Sequence, residues 1–343
     1  AESDVVTFGT AIVQNDQATN DSIVISMSGV TPAAEGSPYN AVLVSSSGTN
    51  SLNLGEVEVV QPVIHGVVQA TGNINLTFDS SSEGYDGQDL LSTYSRIKIT
   101  NGSGGSTAYS DNIPANAAAY INGIMGELNA IDEHLDEALA NIAAAQSATD
   151  VDEIKTSTAS AVADASAIAE LADGLPAHAT AAAEVDVEDG NLADGAAGVI
   201  ASAANISAWV TAAKATADND VASQTSVAVA KIYVGKIFNE LSAAKNGWDA
   251  NTDGTISPST GEGGSDQARA SAQQMGTLTL EAKDLPGSET ATVAVGGSSG
   301  GSVLGLGLPS VGEKLIINLL MMGAVLGIFI TGVGSLILVR NRT

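Results

Sequence analysis

Oxygen-bearing side chains occupy every second position in one short run of the sequence. Asp249, Asn251, Asp253 and Thr255 alternate there, and Gly254 lies among them where the chain has to turn. Carboxylate, amide and hydroxyl oxygens at this spacing can converge on one hard cation, and Ca²⁺ is the cation that such ligands suit best. The spacing therefore predicts a calcium-binding loop with a structural role.

This run resembles the first half of an EF-hand-type calcium loop but departs from it further along. The twelfth position is Thr260 instead of a bidentate glutamate, and the nearest carboxylate, Glu262, comes two residues later. Two interpretations stay open: a structural Ca²⁺ site that Glu262 completes, or an acidic turn covered by water. A calcium switch is not expected, because sensor proteins pair two such loops.

Three histidines and many carboxylates are the other candidates for chemistry. His65, His134 and His178 are expected at a strand end, within a helix and at a helix start, so they do not suggest one cluster. A bundle metal site would need Glu-x-x-His on two helices, and no second copy exists, so His134 is expected to be a solvated or salt-bridged surface residue. No carboxylate is expected in an apolar environment that would raise its pKa. The sequence therefore predicts a protein that is not an enzyme.

The charge of the chain limits its partners. It carries 39 Asp+Glu against 12 Lys+Arg, a formal net charge of −27. Such a surface repels nucleic acid and anionic lipid, so no nucleic-acid partner is expected, whereas cations are suitable ligands. The chain has no cysteine, which excludes disulfides and thiolate metal sites.

A long apolar segment, Leu315–Val339, lies near the end of the sequence and carries no charge. About 20 apolar residues suffice to cross a bilayer as one helix. Lys314 precedes the segment and Arg340 and Arg342 follow it, which predicts a short cytoplasmic tail with the bulk of the chain outside the cell membrane. This topology requires export, so a signal peptide is expected to have been removed before Ala1.

Two features near this segment bear on partners and attachment. Gly323 and Gly327 form a small-xxx-small pair that would let another membrane helix pack closely, so a homo-oligomer or a larger membrane complex is expected. The Gly/Ser-rich residues 298–313 predict a stalk. Within it, Leu308–Gly312 is similar to a sortase sorting signal, but Val311 stands where that signal has threonine, so a retained anchor is expected.

Short β-branched runs dominate residues 1–111, and turn pairs such as Thr31-Pro32 and Asp86-Gly87 separate them. Intervals of roughly 10–15 residues without a helical period are typical of an antiparallel β-sandwich. The predicted strands are Val5–Val13, Ser22–Met27, Asn40–Ser45, Leu54–Val60, Gly66–Ala70, Asn73–Phe78 and Ser95–Thr100.

Several of these runs resemble the extracytoplasmic β-domain of anti-sigma-K-type proteins. The residues that carry the resemblance are Gly9–Ala11, Ser26–Pro32, Gly36–Val44, Leu54–Val57 and Tyr94–Thr100. The resemblance implies a β-sandwich outside the cytoplasm. It does not imply transcriptional regulation, because the sequence shows no cytoplasmic sigma-binding region.

Residues 112–246 change to a helical period. Pro114 suits a first turn, and apolar residues follow at three- and four-residue spacing from Ile121 to Ile142. The same period recurs over 150–172, 192–217 and 221–244, with expected breaks at Gly174-Leu175-Pro176 and at Asp189-Gly190. Four helices with short links predict an antiparallel bundle.

The sequence thus predicts an α+β multidomain chain: a β-sandwich, a helical bundle and one C-terminal transmembrane helix. Residues 247–297 add the acidic loop, a fifth helix at 266–282 and a short strand at 289–295, and residues 314–343 form the anchor and tail.

For function, a non-catalytic structural or adhesive cell-surface component stabilised by divalent cations is favoured. One alternative is an accessory single-helix subunit of a larger electron-transfer or photosynthetic membrane complex. Another is an extracytoplasmic ligand-binding or sensor module.

Overall fold

The computed structural model describes residues 6–282, which lie within one compact unit. Several predicted segments lie outside the described residues: the transmembrane segment Leu315–Val339 with Gly323 and Gly327, the stalk at 298–313 and the strand at 289–295.

The strands are β1 (Thr7–Gln14), β2 (Ser22–Val30), β3 (Tyr39–Val44), β4 (Ser51–Val57), β5 (Val63–Ile64), β6 (Val67–Val68), β7 (Gly72–Phe78), β8 (Arg96–Asn101), β9 (Thr107–Asn112) and β10 (Leu278–Ala282). The helices are α1 (Leu90–Thr93), α2 (Ala115–Ser147), α3 (Val151–Ala183), α4 (Gly190–Thr216), continued by a π-helical turn (Ala217–Val221), α5 (Val227–Asn246) and α6 (Ser265–Met275).

Eight strands form one antiparallel sheet in the order β4-β3-β8-β9-β10-β1-β2-β7. The two edge strands of this order are β4 and β7. Val60, which follows β4, and Asn73 of β7 exchange backbone hydrogen bonds of 2.9 and 3.0 Å, so the sheet is nearly closed and barrel-like. The antiparallel strands are confirmed, but a single curled sheet replaces the predicted two-sheet sandwich. Bulges explain the curl: the β3–β4 register shifts beside Gly55, whose φ of 106° suits glycine, and a second shift divides the β2–β7 pair.

The sheet encloses an aromatic centre. Tyr109 of β9 is fully buried, and its ring lies 5.0 Å from Phe8 and 5.9 Å from Tyr39 in edge-on contacts. The hydroxyl of Tyr39 donates to the backbone oxygen of Thr31 at 3.1 Å. Tyr39, one of the residues on which the resemblance to anti-sigma-K-type proteins rests, is therefore a core residue.

The predicted helical character of residues 112–246 is confirmed, and these helices lie between β9 and β10 along the chain. The predicted break at Gly174–Pro176 is wrong, because α3 continues through Pro176 to Ala183. A proline inside a helix costs about 3 kcal/mol. Here the cost is offset by packing on both sides of the proline, since Ala172, Leu175 and Ala179 are all buried on one face.

Two of the later segments have properties that the sequence did not predict. Within the described residues one helix, Gly190–Val221, is long and apolar enough to cross a membrane, although half of its most apolar window is buried inside the protein. The predicted fifth helix at 266–282 ends at Met275, and Leu278–Ala282 instead forms β10 between β9 and β1. The reason is a change of period, because the buried Leu278 and Leu280 alternate with half-buried residues as in a strand.

Candidate cation-binding sites

The predicted calcium loop turns its oxygens inward. The backbone N–H of Asp253 donates to Asn251 Oδ1 at 2.8 Å and to Asp249 Oδ1 at 3.2 Å, and the N–H of Gly254 donates to Asp249 Oδ2 at 3.0 Å. The hydroxyl of Thr255 donates to Asp253 Oδ1 at 2.6 Å, which is the main reason that the pKa of Asp253 lies below its usual value. Four of the five predicted ligands therefore lie together around one turn.

Glu262, the fifth predicted ligand, lies against the same loop. It is only 3% exposed, and its Oε2 accepts hydrogen bonds from the hydroxyls of Ser257 at 2.5 Å and Ser259 at 3.2 Å. The Ser257 hydroxyl is the largest cause that lowers the pKa of Glu262, and the backbone N–H of Asn251 adds to it. Glu262 thus stays ionised beside the turn, where it would add a third carboxylate to those of Asp249 and Asp253.

A larger acidic cleft lies between the sheet and the start of α4. Its volume is about 710 Å³. A dense run of carboxylates between α3 and α4 makes part of this cleft visible in the sequence. The other two carboxylates, Asp111 of β9 and Glu281 of β10, come together only through strand pairing, because Glu281 pairs with Ser110, the neighbour of Asp111. The carboxylates that line it are Asp111, Asp186, Glu188, Asp189, Asp194 and Glu281.

Asp111 lies in this cleft in surroundings that disfavour its charge. Burial raises the pKa of Asp111, and Glu281 and Asp189 raise it further, although the N–H groups of Asn112 and Thr279 lower it. Burial also raises the pKa of Glu127 and of Asp266. The expectation that no carboxylate has a raised pKa is therefore wrong, because partial burial by tertiary packing was not visible in the sequence.

Replacing Asp111 by asparagine is expected to stabilise the protein at neutral pH by up to about 1 kcal/mol. A carboxylate whose folded-state pKa is raised destabilises the fold above that pKa, and this penalty disappears as the pH falls below the ordinary value. The gain of Asp111→Asn should therefore shrink in acid. Thermal unfolding of both proteins across the pH range measures it.

Asp79→Asn is the matched control for this prediction. The pKa of Asp79 is lowered, first by the hydroxyl of Ser81, so the same change of acid to amide should not stabilise the fold. A gain from Asp79→Asn as large as that from Asp111→Asn would contradict the assignment of the penalty to the cleft.

Two of the three histidines join α2 to α3. Nδ1 of His134 lies 3.2 Å from Asp164, as expected for a salt-bridged surface residue, and Nδ1 of His178 lies 3.7 Å from Glu127. His178 is inside α3 and not at a helix start, and it occupies a notch that Gly123 leaves open on α2. His65 lies at the β5–β6 turn.

No family model, curated protein sequence or solved structure matches this chain. The resemblance to anti-sigma-K-type proteins therefore stays a prediction that rests on the residues that carry it.

Proposed function

We propose that this chain is a non-catalytic structural or adhesive component of a cell surface, which divalent cations stabilise. In this proposal Leu315–Val339 anchors the chain in the membrane and the residues before it lie outside. The observation that carries the proposal is the acidic cleft, where six carboxylates meet in a chain of net charge −27. Repulsion of this kind weakens a fold unless cations neutralise it.

Two places would take up the cations. In the cleft, burial first and then Glu281 and Asp189 raise the pKa of Asp111, and a bound cation would offset both effects. In the loop, Asp249 and Asp253 already lie around one turn, with Glu262 beside it. Ca²⁺ is proposed for both, because it takes six to eight oxygen ligands in flexible geometry.

Calcium is expected to raise the melting temperature of the chelator-treated protein. A ligand that binds only the folded state adds about 2.7 kcal/mol at a concentration about 100 times its Kd. The Asp249→Asn/Asp253→Asn double variant should lose the part of this shift that belongs to the loop, because two anionic ligands are gone. Calorimetry with increasing CaCl₂ measures both shifts.

The control removes the same two charges elsewhere, as Asp218→Asn/Asp220→Asn in the π-helical turn. This variant should keep the full calcium shift. An equal loss in both double variants would show that calcium only screens the net charge, and the loop would not be a site.

An accessory subunit of a larger membrane complex is the second candidate, and exposed apolar surface favours it. In the β5–β6 hairpin, four apolar residues are each more than 50% exposed to solvent: Val63, Ile64, Val67 and Val68. On α5, Ile232 is 70% exposed. Such surface on a folded protein often marks a contact with another protein.

Purification from the native membrane in mild detergent, with and without a calcium chelator, separates the two candidates. A homo-oligomer that dissociates on chelation supports the cation-stabilised surface component. Stoichiometric co-purification with redox or pigmented subunits, regardless of calcium, supports the accessory subunit and contradicts the first proposal.

A further inference from the structure

A mixed cluster of an imidazole and two carboxylates lies on the outer side of the α2–α3 pair. His134 and Glu137 are three residues apart on α2, so their side chains share one face of that helix. Asp164 reaches them from α3. One ligand atom from each residue lies within 4.8 Å of the other two. We propose that His134, Glu137 and Asp164 bind a transition-metal ion of the Zn²⁺ class that ties α2 to α3.

The spacing of the His134 and Asp164 ligand atoms suits a tetrahedral ion. Zn²⁺ binds nitrogen and oxygen at about 2.0–2.2 Å, which places neighbouring ligands of a tetrahedron about 3.3 Å apart. Nδ1 of His134 and Oδ1 of Asp164 are 3.2 Å apart. An ion can therefore replace the hydrogen bond between them without moving either helix. Glu137 is exposed, so its side chain is able to turn toward the ion.

A neighbouring amide holds Asp164 in the orientation that this site needs. Nδ2 of Asn141 donates to Oδ2 of Asp164 at 3.3 Å, which leaves Oδ1 turned toward His134. Partners of this kind orient metal ligands, and their loss typically weakens metal binding about 10–100-fold. Asn141 lies one turn beyond Glu137 on α2, so the same helix supplies two ligands and the residue that positions the third.

The ligand chemistry separates this site from the calcium loop. Imidazole nitrogen suits Zn²⁺, Cu²⁺ or Ni²⁺, whereas Ca²⁺ takes oxygen ligands alone. Two carboxylates and one neutral imidazole also match the charge of a divalent ion. The site is independent of the proposed function and would stand if that function failed.

The same two helices provide a matched control. His178 and Glu127 also face each other across α2 and α3, at 3.7 Å. Among the described residues, no third His, Cys, Asp or Glu completes a group of ligands there. A histidine–carboxylate pair alone is therefore expected not to bind the ion tightly.

Zinc titration of the full chain tests the proposal. The detergent-solubilised protein is stripped with a chelator and titrated with ZnCl₂ in excess calcium, which fills the oxygen-only sites. We expect one tight equivalent of zinc. His134→Gln, which can still hydrogen-bond to Asp164, should weaken binding by more than about 100-fold, and Asn141→Ala by about tenfold.

Substitution of Co²⁺ for zinc adds a spectroscopic readout. Four-coordinate Co²⁺ absorbs visible light strongly, so the wild-type complex should be coloured and the His134→Gln protein should not. The His178→Gln control should bind zinc and show the cobalt spectrum as the wild-type chain does. Because Glu137 is exposed, Glu137→Gln should lose affinity while the circular dichroism spectrum stays unchanged.

Three outcomes would overturn the site. Zinc binding that survives His134→Gln would place the metal elsewhere. An equal loss in His178→Gln and His134→Gln would show unspecific binding by surface histidines. Failure of the wild-type chain to bind zinc would leave His134 and Asp164 as a hydrogen-bonded pair only.

Discussion

Replacing Arg269 by methionine is expected to lower the free energy of unfolding by up to about 3 kcal/mol, the low end of the cost of removing one partner of a buried ion pair, because the Asp132 side chain is 24% exposed. Arg269 of α6 is only 6% exposed. Its Nη2 lies 2.5 Å from Asp132 Oδ2 and its Nη1 donates to Asn129 Oδ1 at 2.8 Å, both on α2. Methionine fills similar space but leaves the Asp132 carboxylate without its cation.

The acidic surroundings of Arg269 make this loss pH-dependent. The pKa of Asp266 is raised, first by burial and then by Asp132, while Lys245 and Arg269 lower it. Without Arg269 the pKa of Asp266 should rise further. A raised carboxylate pKa penalises the fold at neutral pH, and the penalty disappears as the pH falls. The destabilisation by Arg269→Met should therefore be smaller in mild acid than at neutral pH.

Lys245→Met is the matched control, because it removes a cation from the same region at a more exposed place. Lys245 pairs with Asp136, whose side chain is 64% exposed. Exposed pairs contribute about 0–1 kcal/mol. Lys245 also lowers the pKa of Asp266, so this variant should lose some stability, but clearly less than Arg269→Met. Similar losses from both variants in urea unfolding would show that net charge, and not the buried contact, stabilises the α2–α6 junction.

Local periodicity made the helical half of the fold predictable. Ile121, Leu128, Leu135 and Ile142 were expected on the inner stripe of α2, and all four are buried. The predicted loop also brings Asp249, Asn251, Asp253 and Thr255 to one turn, since alternate positions around a tight turn are set by neighbouring residues.

Contacts between distant segments could not be predicted in the same way. The strand β10 joins β9 and β1 across a helical insertion, and no local pattern announces such a pairing. The same limit hid the acidic cleft, which needs Asp111 and Glu281 from paired strands. It also hid the grouping of His134, Glu137 and Asp164, because Asp164 lies on a different helix from the other two. In each case the chemistry depends on which faces the tertiary packing brings together.

The small residues of α4 are a case where tertiary packing decides the effect of a substitution. A Cβ added at Gly195 would lie 2.6 Å from the backbone oxygen of Ser271 and 2.4 Å from Cγ of Met275, both on α6. At Gly198 it would lie 2.3 Å from Ser271 Oγ. Gly195 and Gly198 are therefore covered by α6 of the same chain, although α4 is apolar and long enough to cross a membrane.

Gly195→Ala is accordingly expected to destabilise the protein by about 2 kcal/mol. Overpacking typically costs about 1–3 kcal/mol or more, and a backbone atom at 2.6 Å cannot turn aside as a flexible side chain would. Alanine regains up to about 1 kcal/mol of helix propensity, which offsets only part of this cost.

The control is Gly126→Ala in α2, where a Cβ would meet nothing within 4 Å. There the gain in helix propensity is unopposed, so the variant should be more stable by up to about 1 kcal/mol. The two alanine substitutions should thus shift the urea midpoint in opposite directions. If Gly195→Ala also stabilised the protein, α4 and α6 could not be in close contact. The glycine face of α4 would then be open to another partner, including the interior of a membrane.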